Sequence, residues 1–286
     1  MVGPLARGGV GMTAPVYVSP RTGSTVWQAD AIDIAATLPD GCASLAVLDG
    51  PFGMAKADWD RIPRGGCLAD LYRPHLDALG RVCGPSATVY LWNTAEGWAE
   101  LHREMVGRGW AYRSLVVWHK PDPPAGLGWA TAGGWLDNHE VCGVYARGAP
   151  RFTPPGPGQY AVWSNSVKAL SLEQLKADEQ VPHRQLGTPI TPALHPCQKP
   201  LLFAERIIRA SSRPGDTVWV PFGGTLRELV AAEQMARAEP GEARRVLTCE
   251  LNADGVDYIG PAVAQADGRG MLAPGQVGLF GAGGAR

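Results

Sequence analysis

The chain has 286 residues, 45% hydrophobic and 19% charged, a composition that suits a globular protein with a sizeable core and excludes a disordered or fibrous one. Lys plus Arg is 26 against 27 for Asp plus Glu, which excludes a surface coated throughout with positive charge but leaves room for one basic face toward nucleic acid. The 37 Gly and 25 Pro follow no fixed period, so collagen and solenoid repeats are excluded as well.

Residues 1–24 are rich in Gly and Pro and predict a flexible leader. Regular patterning starts with a short strand, Thr25 to Asp30, that ends in an acid, and a short helix, Ile32 to Leu38, stopped by Pro39-Asp40-Gly41. Ser44 to Leu48 is apolar at every position but the first, as a central strand covered on both faces must be, and it breaks at Asp49-Gly50-Pro51-Phe52-Gly53. A helix over Leu68 to Val82, a strand over Ala87 to Trp92 and a helix over Ala95 to Arg108, closed by Gly109, follow in turn. Tyr112 to Trp118 and Glu140 to Tyr145 read as strands.

Residues 121–195 are irregular, with one convincing helix at Leu172 to Asp178, and so long an irregular stretch inside a compact domain is usually functional. Regularity returns with a helix from Pro200 to Ser211, a strand from Thr217 to Val220, a glycine turn, a helix from Leu226 to Arg237, and a strand from Arg245 to Cys249 ending in Glu250. From Gly268 the chain reads as a mobile tail. Alternating strands and helices predict an α/β fold, a mostly parallel central sheet flanked by helices.

No run approaches the roughly 20 apolar residues that cross a bilayer, and Met1 to Val18 has no continuous apolar stretch of signal-peptide type. The six cysteines (42, 67, 83, 142, 197 and 249) form no CxxC pair, and they read as reduced, buried, small apolar residues of a cytoplasmic chain, with no metal implied.

Chemistry belongs beyond the carboxyl ends of parallel strands. Val220-Pro221-Phe222-Gly223-Gly224-Thr225 lets backbone approach a ligand closely and then opens a helix. Glu250, about 25 residues past that turn, is placed to accept hydrogen bonds from ribose hydroxyls, and Asp30 closes a third strand in the same way. At Asp49-Gly50-Pro51-Phe52 a buried strand delivers a carboxylate, a proline-fixed carbonyl and an aromatic ring together. That trio suits a planar ring bearing an amino group.

These segments resemble the β class of S-adenosylmethionine-dependent DNA amino-methyltransferases, which modify N4 of cytosine or N6 of adenine. Asp49-Gly50-Pro51-Phe52 is similar to their [DNS]-P-P-[YF] motif, and His195-Pro196-Cys197-Gln198-Lys199-Pro200 to H-P-T-Q-K-P, the most specific match. Val220 to Thr225 resembles D-P-F-x-G-S-G-T. Trp27-Gln28-Ala29-Asp30 with Leu38-Pro39-Asp40 resembles G-D-…-L-P-D, while Trp118-His119-Lys120-Pro121 and Asn138-His139-Glu140 match further core segments. The likeness spans about residues 25–260. Gly50 departs from proline, Val220 from the aspartate that contacts the methionine part of the cofactor, and Leu226 lies near an expected glycine.

The resemblance implies a Rossmann-like methyltransferase with a catalytic half at 25–149, an irregular target-recognition region at 150–195, a cofactor-binding half at 196–265 and a flexible tail at 266–286. Asp49, Gly50, Pro51 and Phe52 would be catalytic. Asp30, Lys199, Pro221, Phe222, Gly223, Gly224, Thr225, Glu250 and Asn252 would hold S-adenosylmethionine, and Arg147, Arg151, Lys168 and Arg184 would contact DNA. The expected reaction is methylation of an exocyclic amine on a base flipped out of double-stranded DNA. An Ala/Gly/Arg/Pro-rich composition suggests a G+C-rich genome and favours cytosine N4, whereas Asp at the first motif position is commoner in the adenine enzymes. The alternatives are a non-catalytic DNA-binding relative and a methyltransferase of RNA or a small molecule. A second copy of the chain and a cognate restriction endonuclease are compatible partners, and the expected location is the cytoplasm, associated with the nucleoid, for a protein of bacterial or phage origin.

Overall fold

The computed structural model describes residues 14–55, 60–62, 64–120, 138–153, 160–164, 198–251 and 258–267. Nine strands form one sheet among them: β1 (Tyr17–Val18), β2 (Thr25–Gln28), β3 (Ala43–Leu48), β4 (Cys83–Asn93), β5 (Ala111–His119), β6 (His139–Arg147), β7 (Val162–Ser164), β8 (Thr217–Val220) and β9 (Arg245–Glu250). Their order is β1-β2-β9-β8-β3-β4-β6-β5-β7. From β2 to β4 all neighbours are parallel, while β6 runs antiparallel between β4 and β5, and β1 is antiparallel to β2. The expected mostly parallel sheet is therefore present, with β6 and β1 reversed.

Among the described residues six α-helices cover the two faces: α1 (Ala31–Thr37), α2 (Leu68–Val82), α3 (Ala95–Gly107), α4 (Leu201–Ser211), α5 (Arg227–Ala238) and α6 (Ile259–Ala266). Strand periodicity sorts the core into two layers. Leu45 and Val47 of β3, with Tyr90, Trp92, Val218 and Val220, pack against Phe203, Ile207, Leu229 and Val230 of α4 and α5. Ala46 and Leu48, with Val89, Leu91 and Trp219, pack against Ile34, Tyr72, Leu76, Leu79 and Leu101 of α1 to α3. Apolar residues on both strand faces are thus required by helices on both sides. Among the described residues no helix is long and apolar enough to cross a membrane.

The order of the strands positions the site. From β3 the chain moves outward to β4, and from β8 it moves the other way, to β9. Their carboxyl ends flank the switch point, where open α/β sheets bind ligands. Asp49 follows β3, and the glycine turn follows β8.

Two boundaries differ from those read in the sequence. The leader ends earlier than residue 24, because β1 extends the sheet and Arg21 donates to Glu233 on α5 at 3.0 Å. A two-residue strand carries too little periodicity to be read in advance. The region from 150 onward contributes β7 to the sheet edge, and its Trp163 packs in the core beside Trp92 and Phe203. The expected helix at 172–178 lies outside the described residues.

Candidate active site

Asp49 leaves the end of β3 and meets Lys199, the residue just before Pro200 at the start of α4. Lys199 Nζ donates to both carboxylate oxygens of Asp49, at 2.7 and 2.9 Å. The same ammonium lies 3.0 Å from Glu140 Oε2, and the other Glu140 oxygen accepts from Lys120 Nζ. Asp49, Lys199, Glu140 and Lys120 therefore form a row of alternating charge. Burial disfavours the Lys199 ammonium, but its two carboxylate neighbours prevail and raise its pKa. Burial likewise works against the Glu140 carboxylate, yet Lys199 and Lys120 hold it below its ordinary range. For Asp49 burial wins, and its pKa lies above the usual carboxylate value despite Lys199. The ammonium also faces the rings of Phe52 at 5.0 Å and Trp92 at 5.7 Å, so an aromatic wall shields it.

The loop after Asp49 is fixed from two directions. Tyr72, buried on α2, donates its hydroxyl to the Pro51 carbonyl at 3.0 Å, leaving that oxygen a second lone pair. Burial beside Asp49 raises the phenol pKa, so the hydroxyl stays a donor. The buried carboxylate of Asp60 accepts from the backbone N–H groups of Phe52, Gly53 and Met54 at 2.7, 2.8 and 3.2 Å. These bonds hold a short irregular loop to a single shape and orient Phe52.

Gly50 has a steric reason. A Cβ there would lie 2.8 Å from the Phe222 ring and 2.8 Å from the Tyr72 hydroxyl. The missing side chain is what lets the loop after Asp49, α2 and the glycine turn approach one another.

On the other flank, Gly223 packs so tightly on β9 that a Cβ would meet Thr248 Oγ1 at 2.8 Å and the Cys249 carbonyl at 2.9 Å. Gly224 has φ +47 and open space where its Cβ would be, so backbone is bared toward the cleft. Its N–H donates to Glu250 Oε2 at 2.8 Å. Leu226, standing near the expected glycine, keeps the left-handed backbone at φ 60 while its side chain is buried. For a branched side chain that conformation costs on the order of 1 kcal/mol. Phe222 packs against His75 of α2, with ring centroids 4.5 Å apart and planes tilted by 56°, and burial lowers the His75 pKa to about 4, so this imidazole is neutral. Asp30 caps α1 by accepting from Ile32 N at 2.8 Å, and the pairing of Gln28 with Glu250 brings its strand end beside that of Glu250.

A loop bearing a carboxylate and a glycine turn with an acid on the next strand thus meet at the carboxyl ends of adjacent strands. Residues 43–261 match the family model N6_N4_Mtase, described as DNA methylase. The chain belongs to this DNA methylase family. Over 265 residues the methylase is 24% identical to the Type II methyltransferase M1.MboII of Moraxella bovis, covering 81% of this chain and 93% of that one. Its fold is similar to that of the PvuII DNA methyltransferase, named as cytosine-N4-specific, at a TM-score of 0.66 and 15% identity over 93% of each chain. It is similar also to M1.HpyAVI solved with SAM, at a TM-score of 0.58 and 15% identity over 83% of this chain and 98% of that one.

The methylase cleft brings together most residues singled out in the sequence: Asp49 to Phe52 on one side, and Phe222 to Gly224, Glu250 and Asp30 on the other. Pro221 is buried in the turn, and Thr225 Oγ1 accepts from Arg227 Nε at 3.3 Å. Lys199, expected among the cofactor contacts, instead engages Asp49 and Glu140, because its position ahead of α4 aims it at the end of β3. Arg147 and Arg151, expected at DNA, are not brought to the cleft. Arg147 pairs with Ala87 near the opposite end of β4, stacks over Trp110 at 4.3 Å and donates to the Gly80 carbonyl. Arg151 precedes Thr153, whose N–H donates to Ala210 at the far end of α4, and it acts electrostatically on Glu242. Lys168, Arg184, Asn252 and His195 to Cys197 lie outside the described residues.

Sequence reading missed Tyr72, Asp60 and the partnership of Lys120 with Glu140. The last pair stands inside two segments quoted for the family likeness. The antiparallel pairing of β5 and β6 gives them their meaning: Trp118 faces Glu140 and Lys120 bonds to Asn138, so Lys120 lies diagonally across from Glu140 and reaches its carboxylate.

Proposed function

We propose that this methylase transfers a methyl group from S-adenosylmethionine to the exocyclic amine of a base in double-stranded DNA, with N4 of cytosine the favoured target. The observation that carries this reading is the Asp49 carboxylate, held by Lys199 beside Phe52, on a loop that meets the glycine turn where Gly50 approaches Phe222.

S-adenosylmethionine supplies an electrophilic methyl group on a sulfonium. The residues present fit it: Glu250 suits the ribose hydroxyls, bared backbone at Gly224 allows close approach, and Phe222 offers an aromatic face. The amine is a poor nucleophile because its lone pair is delocalised into the ring. Asp49 and the free lone pair of the Pro51 carbonyl accept its two N–H groups, which localises that lone pair on nitrogen. Bound S-adenosylmethionine would give its methyl group to the amine nitrogen and leave as S-adenosylhomocysteine, and Asp49 is placed to receive the proton that the amine gives up. Lys199 favours the ionised form of Asp49 against the effect of burial and steadies the row of charges. A base within a duplex cannot reach this recessed carboxylate, so the target nucleotide is flipped out and stacks on Phe52.

Cytosine is supported by the PvuII neighbour's cytosine-N4 specificity. Adenine N6 is the second reading, favoured by the Asp at the first motif position. Incubating the protein with S-adenosylmethionine and mixed-sequence duplex DNA, then identifying modified nucleosides by mass spectrometry, tests both. N4-methylcytosine is expected; N6-methyladenine alone would reverse the base, and no methylation would sink the catalytic reading.

A further inference from the structure

The order of the strands sets the path a bound cofactor must follow. Glu250 ends β9, the glycine turn ends β8, Asp49 ends β3, and these three strands are adjacent. Neighbouring strands lie about 4.8 Å apart, so the ribose on Glu250 and the reacting methyl near Asp49 are separated by roughly two strand spacings. The amino-acid end of the cofactor then lies over the end of β8 and the start of α5. It carries a cationic ammonium, and a nearby carboxylate would offset the cost of taking that charge out of water.

The obvious acid is missing, for β8 ends in Val220, which is 1% exposed in the apolar core. Among the described residues the other carboxylates at this end of the sheet are engaged, Asp30 as the cap of α1. Asp49 and Glu140 share Lys199, Asp60 caps the catalytic loop, and Glu250 accepts from Gly224. Glu228 differs. It stands in the first turn of α5, two residues past the left-handed Leu226, and is only partly buried. Among the described residues its carboxylate makes no hydrogen bond or ion pair with another side chain, yet it lies within electrostatic reach of Asp49 and Lys199.

We propose that the Glu228 carboxylate receives the α-ammonium of S-adenosylmethionine, taking the place of the acid that Val220 lacks. This rests on the cofactor reading above and adds the residue that holds the amino-acid end. It also explains an acid set where it is disfavoured. Burial pushes Glu228 up to about 7, and Asp49 adds to that, while its own backbone N–H, Lys199 across the cleft and Arg227 on the same helix oppose it. The ammonium would return the group to its ionised form. Binding near neutral pH therefore releases a proton, and affinity falls as pH drops through about 7.

The test compares two ligands by calorimetry: S-adenosylmethionine, and 5′-methylthioadenosine, which shares the adenosine but lacks the amino-acid end. Glu228→Gln should weaken the first by about tenfold or more, as loss of a charge-assisted partner does, and leave the second unchanged. The wild type should bind S-adenosylmethionine more weakly at pH 6 than at pH 8, and the variant should lose that dependence. Unchanged affinity for S-adenosylmethionine, or equal weakening of both ligands, would overturn the assignment to Glu228 alone. A wild type that binds neither ligand would overturn the cofactor reading itself.

Discussion

Lys199 is the residue on which the most charges converge, so its removal is the sharpest probe of the site. Lys199→Met keeps the length of the side chain and deletes the ammonium that lies 2.7 and 2.9 Å from Asp49 and 3.0 Å from Glu140. Two carboxylates then share a site with only Lys120 to balance them. Removing one partner of a buried pair typically costs about 3–5 kcal/mol, a large part of a stability that is usually about 5–15 kcal/mol. The second consequence is chemical. An opposite charge at this range lowers a carboxyl pKa by about 1–3 units, so its loss moves Asp49 up by that amount. Asp49 accepts the amine's proton only when ionised, and activity is lost as pH falls through its pKa. The acid limb of a single-turnover pH profile should therefore move to higher pH by about 1–3 units, with the rate partly recovered in alkaline buffer. Lys199→Arg should retain most of the stability. In denaturant titrations, Asp49→Asn combined with Lys199→Met should cost less than the sum of the single changes, by about 0.5–3 kcal/mol. An unmoved acid limb with additive stability losses would show that Lys199 does not act through Asp49.

Phe52→Ala should weaken capture of the flipped base by about 1–3 kcal/mol while leaving cofactor affinity intact, measured with duplexes that carry a mismatch at the target. Gly50→Ala should lower thermal stability by about 1–3 kcal/mol and weaken cofactor binding, because the new Cβ displaces Phe222; full stability with normal affinity would contradict the close approach. Phe203, 2% exposed and in contact with the rings of Trp92, Trp118 and Trp163, should cost about 3–5 kcal/mol when replaced by Ala, read from denaturant midpoints. Arg147→Ala should cost about 1 kcal/mol through its lost stacking on Trp110 and leave DNA affinity and its salt slope unchanged, whereas a shallower slope would put this arginine at the phosphates.

The central elements were legible because burial leaves a pattern. The apolar run ending at Leu48 could only be a covered strand, and Leu68, Tyr72, Leu76 and Leu79 recur at the spacing of one helix face. The glycine turn and the acids closing their strands were legible for the same reason: Gly tolerates backbone that other residues resist, and a charge at the end of an apolar run marks an edge. The reversed direction of β6 was not legible, since a run buried on both faces reads the same whichever way it is laid into the sheet. Nor was the pairing of Lys199 with Asp49. Those residues are 150 positions apart, and only the adjacency of β3 to β4 and of β4 to β6 brings Asp49, Glu140 and the approach to α4 together.

The three departures from the family pattern make sense together. Replacing proline by Gly50 removes a side chain where Phe222 and Tyr72 close on the loop, so the departure tightens the contact between the catalytic and cofactor flanks. Leu226 accepts a left-handed backbone that glycine would take without strain, and its side chain offsets that cost by burial at 1% exposure. A fully buried leucine contributes about 1.5–3 kcal/mol, more than the roughly 1 kcal/mol of strain. Val220 gives up a charge within the core layer, and a carboxylate appears eight residues later on the first turn of α5. Each change keeps the shape of the cleft while moving a contact. A chain losing its function would have no reason to hold a strained leucine in the backbone position of a glycine, nor to keep a partly buried acid beside Asp49. Strain and buried charge persist where the surrounding structure compensates for them, and here they stand two residues apart at the start of α5.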